Sequence, residues 1–136
     1  MDLSTFEETF TFEDIVKYLG LSNSSVNLIK TLKLEDDFVR FFEGRNDINF
    51  CKQDLKCIFS KKAIIGYMTS LDDVVVLDSN VKPESMILFI EGDEFSKENV
   101  EKALEVVKNN TGVNVNCYFG FNKSDKNRVI GLLTGN

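Results

Sequence analysis

The sequence predicts an α+β protein: a small mixed β-sheet with helices packed on one face, preceded by N-terminal helices. Two observations carry this. Met86–Thr134 reads strand, helix, strand, hairpin, strand, with turn and cap residues at each boundary. Upstream of Gly44 the apolar residues recur at helical rather than strand spacing.

The elements follow in chain order. Thr11 suits a helix N-cap, acids in the first turn of Phe12-Glu13-Asp14-Ile15-Val16-Lys17-Tyr18-Leu19 meet the helix dipole, and Gly20 stops it. Ser22–Ser25 reads as a break. Val26, Ile29, Leu32, Phe38, Val39 and Phe42 then repeat helically with a flaw around Leu34-Glu35, which fits one bent helix or two short ones ending at Gly44. Asp54–Phe59 reads as a short helix with Leu55, Ile58 and Phe59 on its apolar side, and Ala63–Met68 as a strand. Asp54 would sit at the helix start, where a carboxylate can accept backbone hydrogen bonds as a cap.

Met86-Ile87-Leu88-Phe89-Ile90 is an unbroken apolar run, as a strand buried on both faces requires, and Glu91-Gly92-Asp93 supplies turn chemistry after it. Ser96 is the expected N-cap of a helix whose stripe is Val100, Ala103, Leu104 and Val107. On its other face Glu98 and Lys102 stand one turn apart, a pairing that contributes about 0.2–0.5 kcal/mol. Asn109-Asn110-Thr111-Gly112 ends it. Val113, Val115 and Cys117 alternate with asparagines as a half-exposed strand would, Asn122–Asn127 is a polar turn, and Arg128–Thr134 returns as an apolar strand.

Composition narrows the class of function. With 136 residues, 43% hydrophobic content and 12 Phe, the chain can build one core without metal or disulfide support, so residues 1–136 read as a single domain. A net charge of −6 argues against nucleic acid, whose phosphates need clustered Lys and Arg, and against an anionic membrane surface. No apolar stretch approaches the roughly 20 residues of a membrane span. Met1-Asp2-Leu3-Ser4 lacks the sections of an export signal, so a cytoplasmic protein is expected.

The usual catalytic sets are missing from the sequence. There is no His, no Gly-x-Ser-x-Gly elbow, and no metal site is expected from Cys51, Cys57 and Cys117, which read as reduced and mostly buried small residues. Eight dispersed glycines form no loop whose amides could cradle phosphates, so the chain is not expected to bind a nucleotide alone or to be an enzyme on its own. Glu7-Glu8, Asp36-Asp37 and Asp72-Asp73 read as solvated charge. Phe6, Phe10 and Phe12 alternate among acids, and read as core or as a segment that docks on a sheet edge.

One stretch carries a resemblance. Ile48-Asn49-Phe50-Cys51-Lys52-Gln53-Asp54-Leu55-Lys56-Cys57-Ile58-Phe59-Ser60, with the strand to Met68, resembles the catalytic loop, helix and strand of the FtsZ/tubulin-like cell-division GTPases. Met86–Gly135 is similar to the end of that family's C-terminal domain, closing on Arg128, Val129, Thr134 and Gly135. The resemblance implies a helical segment over 1–46 and an FtsZ C-terminal-like α/β sandwich over 47–136, without the GTPase domain.

It further implies a role. In the family this loop reaches the nucleotide of the next subunit in a filament, where an acid polarises the attacking water; Asp54 aligns with that acid and Asn49 with the asparagine that touches the nucleotide. Cys51 stands where the family has a second acid, and Lys52 replaces an aromatic residue. A thiol supplies neither the charge nor the acceptor oxygens of a carboxylate. Between Met68 and Val74 the family has a helix that this chain lacks. The implied partner is an FtsZ/tubulin-like GTPase or another copy of the chain, and the only implied cofactor is the GTP of that partner subunit. Two alternatives stay open: a stand-alone module that caps or regulates such a filament without catalysis, and an unrelated small α+β ligand sensor.

Overall fold

A computed structural model describes residues 10–44, 46–60 and 62–135. Phe6, the Glu7-Glu8 pair and Met1–Ser4 lie outside the described residues. The elements run α1 (Phe12–Leu19), α2 (Asn23–Thr31), α3 (Glu35–Glu43), α4 (Lys52–Phe59), β1 (Ala63–Met68), β2 (Val75–Val76), β3 (Pro83–Gly92), α5 (Lys97–Thr111), β4 (Asn116–Lys123) and β5 (Arg128–Gly135). The class is α+β with a mixed sheet, as expected.

The sheet order is β2-β1-β5-β3-β4, with β3 parallel to β4 and the other pairs antiparallel. β5 therefore inserts between β1 and β3. The polar stretch before it is not a hairpin turn, because β4 and β5 lie on opposite sides of β3 and do not pair. Strand β3 also runs longer than expected: Glu91 and Gly92 are strand residues paired with Arg128 and with β4 rather than part of a turn.

Both faces of the sheet are covered, which divides the helices differently from the single-face expectation. Alternation along β3 sends Ile87 and Phe89 to one face and Met86, Leu88 and Ile90 to the other. Ile87 and Phe89 join Ile64, Ile130 and Leu132 beneath α1–α4, and the second set packs with Ile65, Met68 and Leu133 against Ala103 and Val107 of α5. The unbroken apolar run of β3 has this cause: neither face meets water.

Local signals set most helix ends. Thr11 and Asp14 form a reciprocal capping box, with Thr11 N donating to Asp14 Oδ2 at 3.0 Å and Asp14 N donating to Thr11 Oγ1 at 3.1 Å. Those bonds hold the Asp14 carboxyl below its ordinary range. Gly20 ends α1 in the left-handed conformation at φ 69°. Ser22–Ser25 is not a break but the start of α2, with Ser22 as its N-cap. The flaw near Leu34 resolves as two helices, separated where Lys33 adopts φ 58°. Ile64 N donates to the hydroxyl of buried Ser25 at 3.2 Å, tying α2 to β1 where the β1–β5 register shifts. In α5, Ser96 occupies the N-cap without a side-chain bond, and Lys102 lies 3.6 Å from Asp72 rather than pairing along its own helix.

The aromatic residues fill the larger core. Phe12 is buried against Phe38, while Phe89 contacts Phe38, Phe41 and Phe50 at centroid separations of 5.1–5.5 Å. Phe10 packs edge-on to Phe42 at 4.9 Å. The alternating phenylalanines that are described are thus core, not a free sticky segment.

Candidate functional site

The loop between α3 and α4 is fastened to the outer edge of β4. Ile48 forms an isolated antiparallel bridge with Phe121, its N–H donating at 3.0 Å and its carbonyl accepting at 2.9 Å, and Lys123 N donates to Asp47 Oδ2 at 2.7 Å. Within the loop Asn46 N donates to Asn49 Oδ1 at 2.9 Å, and Asn46 Nδ2 donates to the Arg40 carbonyl at 3.1 Å. Phe50 anchors the far end. Its ring sits on Phe41 and Phe89, above Gly120, where a Cβ would lie 2.7 Å from both the Phe41 and Phe50 rings. Only a residue without a side chain admits those two rings.

This anchoring brings the three expected site residues together. Asn49, Cys51 and Asp54 line one open hollow of about 310 Å³ with Phe50 and the β4 residues Cys117, Tyr118 and Phe119. All three are exposed. Asn49 uses its carboxamide oxygen inside the loop, and its Nδ2 has no partner among the described residues. Cys51, not Asp54, is the N-cap of α4, and its thiol makes no cap hydrogen bond. Asp54 occupies the third helical position. Its carboxylate is therefore not spent on a cap and has no partner among the described residues.

The hollow has a definite electrostatic character. Among the described residues Asp54 is the single charged side chain in its lining; Lys52 instead places its ammonium 4.7 Å from the Phe10 ring and 5.1 Å from the Phe42 ring. Burial pushes the Cys117 thiol up to about 11, so it stays neutral at ordinary pH. An acceptor carboxylate beside an amide donor can orient and polarise a water. Among the described residues, no cation lines the hollow. Cys51 and Cys57 are exposed and Cys117 is half-buried, which corrects the expectation of mostly buried cysteines. Among the described residues, no group of His, Cys, Asp and Glu could hold a metal ion.

A second polar cluster was missed by the sequence reading. Asp37 is 4% exposed and Glu91 5% exposed, and both are met by Arg40 and Arg128. Arg40 Nη2 lies 2.6 Å from Asp37 Oδ1 and 2.6 Å from Glu91 Oε1, and Arg128 Nη1 lies 3.1 Å from each of the same oxygens. The hydrogen bond that Arg128 donates to Asp37 is the main cause of its raised pKa, with Glu91 adding to it. Two acids and two guanidiniums balance, so the cluster clamps α3 onto β3 and β5 and leaves little charge to recruit a ligand. The Asp36-Asp37 pair thus splits: Asp36 is solvated and Asp37 is not. The one available signal was Glu91 at the end of an apolar run and Arg128 at the start of another.

No family model and no curated protein matches the sequence. Among solved structures the fold is similar to a mutant of FtsZ from M. jannaschii, at 15% identity and a TM-score of 0.48, over 85% of this chain. The chain spans 41% of that protein's length. Among the described residues, no helix is long and apolar enough to cross a membrane.

Proposed function

We propose that the chain is an FtsZ/tubulin-like C-terminal domain that contacts a neighbouring nucleotide-binding subunit through the Asn49–Asp54 loop. The observation that carries this reading is the meeting of Asn49, Cys51 and Asp54 in one exposed hollow, with the Asp54 carboxylate unengaged. On a partner that already holds GTP, Asp54 would accept a hydrogen bond from the attacking water while the Asn49 amide donates to the nucleotide. The chain brings the acid, and the partner brings the phosphates and their countercharge.

A second reading is favoured by Cys51. A site with a single carboxylate and a thiol in place of a second acid is weakly equipped to activate water, which suits a module that caps a filament end without turnover.

The test is sedimentation and GTP turnover of a complete FtsZ-type GTPase with and without this chain. Stimulated turnover that Asp54→Asn abolishes supports catalysis in trans, and inhibition that survives Asp54→Asn supports capping. If neither the pellet nor the turnover responds to the chain, both readings fail.

A further inference from the structure

The opposite edge of the sheet carries the largest exposed apolar residues of the molecule. Val75 and Val76, which form the outermost strand β2, are 42% and 37% exposed, and Leu77 just after it is 52% exposed. Leu77 N donates inward to the Ile65 carbonyl at 2.8 Å, so alternation along the antiparallel ladder turns the N–H and C=O of Val76 outward. Beside this edge a cleft of about 370 Å³ has Ile65, Val76, Val81, Val113 and Leu133 on its apolar side, and Lys82 with Pro83 and uncharged polar residues complete its lining. An open donor and acceptor, with an apolar recess on one side of the strand, is the arrangement that accepts an added strand and one of its alternate side chains.

The charges at its two ends select the occupant. Asp72 and Asp73 precede the strand and Asp78 follows it, and Asp72 is held only by the exposed Lys102 contact at 3.6 Å. A second copy paired antiparallel about Val76 would set Asp73 of one chain near Asp78 of the other, and each chain carries a net charge of −6. Like charges disfavour that pairing. We infer that the β2 edge docks an extended apolar segment of a partner protein, flanked by Lys or Arg, as a sixth strand beside Val76 with one side chain in the cleft. The site lies across the sheet from the Asn49–Asp54 loop and does not depend on the role of that loop.

The experiment titrates the isotope-labelled chain with a synthetic peptide of five alternating Val and Thr residues bearing two lysines at each end, and with the same peptide bearing glutamates. The expected result is shifts of the Val75–Leu77 amides by the lysine peptide, with affinity falling several-fold between low and physiological salt. Val76→Pro removes the outward donor, at a position where an edge strand tolerates proline, together with the valine wall of the cleft, and should weaken binding about tenfold or more. Circular dichroism checks that it folds. Asp72→Asn with Asp78→Asn should weaken the lysine peptide while leaving the fold intact. The proposal is overturned by equal binding of the glutamate peptide, by shifts confined to other edges, by no binding, or by a dimer forming through Val76 without peptide.

Discussion

Arg128 grips Asp37 with two nitrogens, Nη1 to Oδ1 at 3.1 Å and Nη2 to Oδ2 at 3.2 Å, although 91 positions separate them in the chain. Their contact joins the start of the last strand to the first turn of α3, next to the loop that forms the candidate site. Removing the Asp37 carboxylate leaves two guanidiniums facing Glu91 alone. Asp37→Ala should therefore cost about 3 kcal/mol, the low end for breaking a buried pair because both arginines are partly solvated. Urea unfolding followed by circular dichroism measures it. A loss below about 0.5 kcal/mol, the scale of exposed pairs, would contradict the clamp.

Gly120 should resist substitution for steric reasons. A methyl group there meets two phenyl rings at 2.7 Å, so Gly120→Ala is expected to destabilise by about 1–3 kcal/mol through overpacking. Because Phe50 is one of the rings, amide shifts should spread to Asn49 and Cys51, and an NMR spectrum with those resonances unmoved would refute the anchoring role.

The three thiols should separate by reactivity. At pH 8 Cys51 and Cys57 are exposed and should react promptly with a disulfide reagent. Cys117, raised from 9.0 to about 11, should lag by about 100-fold because the thiolate is the nucleophile. Its folded value lies above its unfolded one, so its contribution to stability is complete below about pH 9 and is lost as the pH rises through about 11. Unfolding midpoints across that window should fall less steeply in Cys117→Ala; identical slopes would count against a buried neutral thiol.

Lys33 holds φ at 58° between α2 and α3, a conformation that costs a side-chain-bearing residue about 1 kcal/mol. Lys33→Gly should recover about that amount in thermal or urea unfolding, against the usual penalty for glycine. A destabilised variant would show that the side chain has a compensating role.

What the chain encoded locally could be read without coordinates. Thr11 and Gly20 bound α1, Gly44 and Gly112 end α3 and α5 in left-handed caps, and β1 spans the expected Ala63–Met68, because caps and periodicity act over a few residues. Asn49, Cys51 and Asp54 are named by the family resemblance of one short stretch and not by a local rule. Their convergence on Cys117, Tyr118 and Phe119 was not legible there, nor was the freedom of the Asp54 carboxylate, because Cys51 takes the cap and β4 arrives from far along the chain. Pairing order decided the rest. Placing β5 between β1 and β3 removes the expected hairpin, puts β2 and β4 at the two edges and brings Arg128 to Asp37. No local rule dictates such contacts: strand order and charge pairing are settled by how both faces of β3 are buried at once, a balance that exists only when the whole chain is packed.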